Sequence, residues 1–67
     1  MYYTVYYYGK EIFFDRDINE VMAVAKELYE EEILEAMQIP MKFRETALEN
    51  IDIVIFDSDM ETIDFLD

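Results

Sequence analysis

Residues 2–20 read YYTVYYYGKEIFFDRDINE. Tyr2–Tyr8 and Glu11–Asp15 are dense in aromatic and β-branched residues, the composition of strands. Gly9-Lys10 stands between them. A Gly-X pair suits a two-residue type II′ turn, because glycine accepts positive φ. The predicted register pairs Tyr8 with Glu11, Tyr7 with Ile12, Tyr6 with Phe13 and Val5 with Phe14. Alternation puts Tyr3, Val5, Tyr7, Ile12 and Phe14 on one face. Tyr2, Thr4, Tyr6, Tyr8, Glu11 and Phe13 take the other. The pattern then changes. Asp17-Ile18-Asn19-Glu20 has the spacing of a capping box, with Asp in place of the usual Ser or Thr, so a helix is predicted from Asp17.

Downstream, Ile18, Val21, Met22, Ala25, Leu28, Tyr29, Ile33, Ala36 and Met37 recur at helical spacing and form an apolar face. The helix is expected to end near Gln38, because the residue before Pro40 is biased away from helix. Met41–Glu49 supports two readings. One is a second helix with Pro40 in its first turn and Phe43, Ala47 and Leu48 inward. The other is a strand over Met41–Thr46. Ile51–Asp57 alternates as a strand, with Ile51, Ile53 and Ile55 on one face and Asp52, Val54 and Phe56 on the other. Ser58-Asp59-Met60-Glu61 repeats the capping-box spacing and predicts a short helix over Ser58–Leu66. The expected fold is a single α+β domain over residues 1–67. Its sheet is three-stranded and mainly antiparallel (ββα(α)β), with one long helix on one face and a short C-terminal helix.

A chain of 67 residues buries only roughly 60% of the surface its unfolded form exposes. One core of that size seldom supplies more than ~3–5 kcal/mol. Cysteine and histidine are both absent, which excludes disulfides and the usual zinc sites. Apolar content of 54% with 16% aromatic is a folded composition rather than a disordered one. Packing efficiency or a second subunit must therefore supply the stability.

Charge is the outlier. Seventeen acids against five bases give −12, beyond the ~2–8 usual for a small soluble domain. All five bases fall within residues 1–44, so residues 45–67 hold acids alone. Direct binding to nucleic acid or to an anionic membrane is disfavoured, and a cationic protein partner is favoured. A basic n-region, a long apolar h-region and any run of ~20 apolar residues are missing, so a cytoplasmic protein is expected.

Few residues suit catalysis. IVIFDSDMET, residues 53–62, resembles the first motif of the haloacid-dehalogenase-like phosphatases. That resemblance implies Asp57 as nucleophile and Asp59 as acid/base, with magnesium. The family also needs a doubly wound sheet and later Lys and Asp motifs, for which residues 58–67 leave no chain, so the roles are not carried over. Asp57, Asp59 and Glu61 also resemble half of an EF-hand loop, but Thr62 stands where the loop wants glycine. Ser58 is the only serine, and Thr4, Thr46 and Thr62 have no activated base beside them. Gly9 alone makes no phosphate loop. A non-enzymatic protein without metal or cofactor is expected.

The acids themselves remain. KELYEEEILEAM, residues 26–37, places Glu27, Glu31 and Glu35 along one helix edge about 6 Å apart. Like charges at that spacing destabilise a helix by ~0.2–0.5 kcal/mol per pair. Asp52, Asp57, Asp59, Glu61, Asp64 and Asp67 add to them. Carboxylates so arrayed can stand where a protein expects phosphates. In size, charge and aromatic content the chain looks like the small acidic inhibitors that phages and mobile elements use against restriction, CRISPR nucleases or DNA repair. The candidate partner-binding residues are Glu27, Glu30, Glu31, Glu35, Asp52, Asp57, Asp59 and Asp64, with Tyr2, Tyr6 and Tyr8 as aromatic anchors. The expected partner is a protein with a basic nucleic-acid-binding surface. The alternative is an acidic interaction or oligomerisation module, antitoxin-like or homodimeric, that uses the aromatic sheet face.

Overall fold

The computed structural model describes residues 1–66; Asp67, counted above among the acids, lies outside the described residues. The elements are β1 (Tyr3–Tyr7), β2 (Lys10–Asp15), α1 (Ile18–Ala36), α2 (Met41–Glu49), β3 (Ile53–Asp57) and β4 (Thr62–Ile63). The sheet runs β2-β1-β3-β4, with every neighbouring pair antiparallel. Helix α1 packs on one face of the sheet, and α2 packs against α1. The α+β class and the long helix are as expected, and residues 41–49 take the helical reading. The sheet, however, has four strands rather than three.

The hairpin turns one residue earlier than predicted. Tyr8 and Gly9 are its loop residues, both with positive φ (51° and 79°), and Tyr7 faces Lys10. Two positive φ values make a type I′ turn, whose twist matches that of the flanking strands. The backbone N–H of Tyr8 also donates to the Asp52 carbonyl at 2.9 Å, which ties the turn to the chain entering β3.

A β-bulge then resets the register. Glu11 faces Tyr6 and Phe13 faces Val5, leaving Ile12 as the extra residue. One inserted residue exchanges the faces of everything beyond it. Phe13 therefore packs on the core, and Phe14 pairs with Thr4 on the opposite side. Both lie on the face opposite to the one the hairpin register predicts, and Ile12 is exposed rather than buried.

The core is Val5, Val21, Ala25, Ile53, Ile55 and Phe65, with Tyr3, Tyr7, Phe13, Leu28, Tyr29 and Ile63 packed around it. Asp17 caps α1, its carboxylate accepting from the Asn19 N–H at 2.9 Å rather than from the Glu20 amide of a capping box. The helix stops at Ala36, two residues short of Gln38, and Met37 is exposed beyond it. The Arg44 Nη2 donates to the carbonyls of Met37 and Ile39 at 3.0 and 3.2 Å, satisfying backbone oxygens that a helix end leaves open. In α2, Ala47 and Leu48 are half-buried, whereas Phe43, predicted inward, is exposed.

The short helix over Ser58–Leu66 does not form. Asp57 Oδ1 accepts from the N–H groups of Asp59 and Glu61 at 2.9 and 3.0 Å. Met60 takes φ 64°, which a right-handed helix cannot carry. The chain reverses, Ile63 pairs with Ile55, and Phe65 enters the core. Ile63 and Phe65 repeat at period 2; pairing along the free edge of β3 half-buries Ile63 and brings Phe65 into the core.

The molecule measures 42 × 21 × 18 Å, with a radius of gyration of 12.9 Å. A compact chain of this length would have about 11 Å. The 19 residues of α1 span about 28 Å, against about 17 Å for a five-residue strand. The C-terminal turns of α1, with α2, overhang the sheet.

Candidate functional site

Three surfaces compete for the role, and each follows from the topology. The first is acidic. At 100° per residue, Glu27, Glu31 and Glu35 share one flank of α1, and all three are exposed. Glu32 points toward the sheet instead. It is half-buried and accepts a hydrogen bond from the Tyr7 hydroxyl. Glu30 lies on the outer ridge near Lys26. With Tyr29, Phe65 and Leu66 these two line a hollow of about 250 Å³, smaller than the ~300–1,000 Å³ of small-molecule pockets.

The predicted aspartates do not join that flank as one patch. Asp52 sits where β3 begins, at the Tyr8 end of the sheet. Asp57, which ends β3, and Asp59, in the turn between β3 and β4, lie at the other end. Asp64 follows β4 and accepts from the Leu66 N–H at 3.1 Å. Asp57 is half-buried and engaged as a turn former, so it offers less to a partner than the exposed Asp52, Asp59 and Asp64. Negative charge thus covers both ends and one flank. Among the described residues no group of three or more His, Cys, Asp or Glu is placed to hold a metal ion. Nor is any helix there long and apolar enough to cross a membrane.

The field is felt at Tyr7 and Tyr8. The hydrogen bond to Glu32, then burial, then the charges of Glu32 and Glu35 push the Tyr7 hydroxyl up to about 12. Tyr8 is raised too, first by burial and then by the Glu32 charge. Tyr8 packs edge-on against Tyr7, centroids 4.7 Å apart. It therefore belongs to the turn and not to the sheet face on which it was expected.

The second surface is the sheet face opposite α1. Tyr2 stacks on Phe14 at 5.0 Å, and Tyr6 meets Phe56 edge-to-face at 5.4 Å. By register Thr4 lies between Phe14 and Phe56, and Val54 lies beside Tyr6. Phe14 is 54% exposed. Arg16 lies over Tyr2, its guanidinium 4.8 Å from the ring centroid and its Nη2 donating to the hydroxyl at 2.5 Å. The structure therefore joins Tyr2 and Tyr6 on one aromatic face and adds Phe14 and Arg16, which the hairpin register alone did not reveal.

The third is the overhanging tip, where Leu34, Met37, Met41 and Phe43 are all more than half exposed. Met37 follows Ile33, and Phe43 follows Pro40, at spacings that read as an inward face. Only the overhang of α1 shows that no sheet lies beneath them. Against known proteins, the chain matches no family model, no curated protein and no solved structure.

Proposed function

We propose that the protein is a non-enzymatic, cytoplasmic inhibitor that occupies the basic nucleic-acid-binding surface of another protein. The supporting observation is the exposed Glu27–Glu31–Glu35 flank on a chain of net charge −12. Successive carboxylates on that flank rise about 6 Å along the helix axis, a ladder suited to lysines and arginines built to receive phosphates. Its self-repulsion is a standing cost to the free protein. A cationic groove removes that cost on binding, so the same residues that weaken the helix favour the complex. Glu30, Asp52, Asp59 and Asp64 extend the negative surface around the body.

An aromatic sheet face is also a platform on which single-stranded nucleic acid stacks. Net charge decides against that use, because each phosphate would approach a strongly negative body. The binding surface is therefore read as one for protein. Association is expected to be fast and to weaken with salt.

Affinity capture from cell lysate, with and without excess duplex DNA, tests the proposal. Recovery of a nucleic-acid-binding protein that DNA displaces is the expected result. A partner retained equally with and without DNA would contradict it.

A further inference from the structure

We propose that the open sheet face is a self-association surface, stacked on a second copy of this chain about a two-fold axis. The argument starts from the charges on that face. Its centre is Tyr2, Tyr6, Phe14 and Phe56. Within the paired strands, register places one acid there, Glu11 beside Tyr6, and Arg16 lies over Tyr2; Asp52, just before β3, adds a second acid at the rim of the face by alternation. Glu11 is near the hairpin end of the edge strand β2, and Arg16 immediately follows its other end.

Opposite charges at opposite ends of one strand are self-complementary. A two-fold axis lying in the interface and perpendicular to the strands sets β2 antiparallel over its counterpart. Each Glu11 then faces the Arg16 of the other copy, twice per dimer. Packed sheets lie ~10 Å apart, within the joint reach of a glutamate and an arginine. The other axis in that plane would stack β2 over β4 and leave both charges unmatched. The acidic flank of α1 lies behind the sheet, far from the contact.

Area sets the expected strength. The face is about three strand spacings of ~4.8 Å across and ~17 Å along, short of the ~800 Å² per partner of a standard interface. Association is therefore expected to be reversible, in the micromolar range or weaker. It should strengthen with moderate salt, because screening reduces the repulsion between two bodies of −12. Binding to a basic partner carries the opposite salt dependence, so the two processes are separable.

Sedimentation equilibrium tests the dimer, with far-UV circular dichroism as the folding check. The wild-type mass should rise with concentration from 8.1 kDa toward its double. Glu11→Arg alone, or Arg16→Glu alone, should weaken association by at least about tenfold. An equimolar mixture of the two single variants should recover it as a mixed dimer, and so should the double variant Glu11→Arg/Arg16→Glu. Both residues are exposed, so folding should survive. Replacing Phe14 and Tyr6 by Ser should also dissociate the dimer. A wild-type protein that stays monomeric up to ~1 mM would overturn the proposal, as would single variants that dimerise unchanged or a mixture that fails to recover association. A monomer whose face instead binds a different protein would likewise rule out the second copy as its occupant.

Discussion

Tyr7 belongs to β1 by its backbone and to α1 by its hydroxyl. Its bond to Glu32 joins the sheet to the helix. The bond holds the phenol protonated, up to about 12, against an unfolded value near ~10. Between those two values the folded chain binds more protons than the unfolded one, so stability falls as pH rises. The contribution is complete below pH ~10 and is lost as pH climbs through about 12. Phenolate absorbance in the folded protein should show a step near the upper value that Tyr7→Phe removes. The same substitution should flatten the alkaline loss of stability in denaturant titrations. Identical titrations for the two proteins would contradict the Tyr7–Glu32 bond.

At the scale of elements, the turn after β3 decides between a strand and a helix at the C-terminal end. Met60 is exposed and adopts positive φ, a conformation that costs an L-residue about 1–2 kcal/mol. Met60→Gly should relieve that cost without losing packing and raise stability by about 0.5–1 kcal/mol, read from the denaturant midpoint. A helix over Ser58–Leu66 would instead lose about 1 kcal/mol on the same change. Long periodic segments such as α1 and the Ile53–Ile55 alternation were legible in the sequence, because several core contacts agree along each. The hairpin was legible as a hairpin but not in register. Both Tyr8-Gly9 and Gly9-Lys10 offer a glycine, and a bulge leaves no mark in an apolar run such as Ile12-Phe13-Phe14. The capping spacing at Ser58–Glu61 misled for a physical reason. Asp57 takes the Glu61 amide that Ser58 would cap, together with that of Asp59, from one residue earlier, and the edge of β3 rewards Ile63 as a strand. Of the proposed site, the α1 flank could be read from spacing alone. The split of the aspartates between the two ends of the sheet needed the topology.

For the molecule as a whole, charge and shape act together. A body of −12 drawn out to 42 Å spreads its charge over more surface than a compact chain of the same length would, which moderates self-repulsion without removing it. Thermal stability should therefore rise with sodium chloride from low to roughly physiological ionic strength, where the Debye length falls to ~8 Å. A melting temperature independent of salt over that range would mean that the acids are too far apart to repel, and would weaken the case for a dense anionic surface. The most direct measurement is the affinity of the triple variant Glu27→Lys/Glu31→Lys/Glu35→Lys for the partner that the wild-type protein captures. All three residues are exposed, so the helix should persist and circular dichroism can verify that it does. The proposed inhibitor should lose at least ~100-fold in affinity. Affinity within a few-fold of wild type, with the helix intact, would contradict the proposal that this flank stands in for nucleic acid.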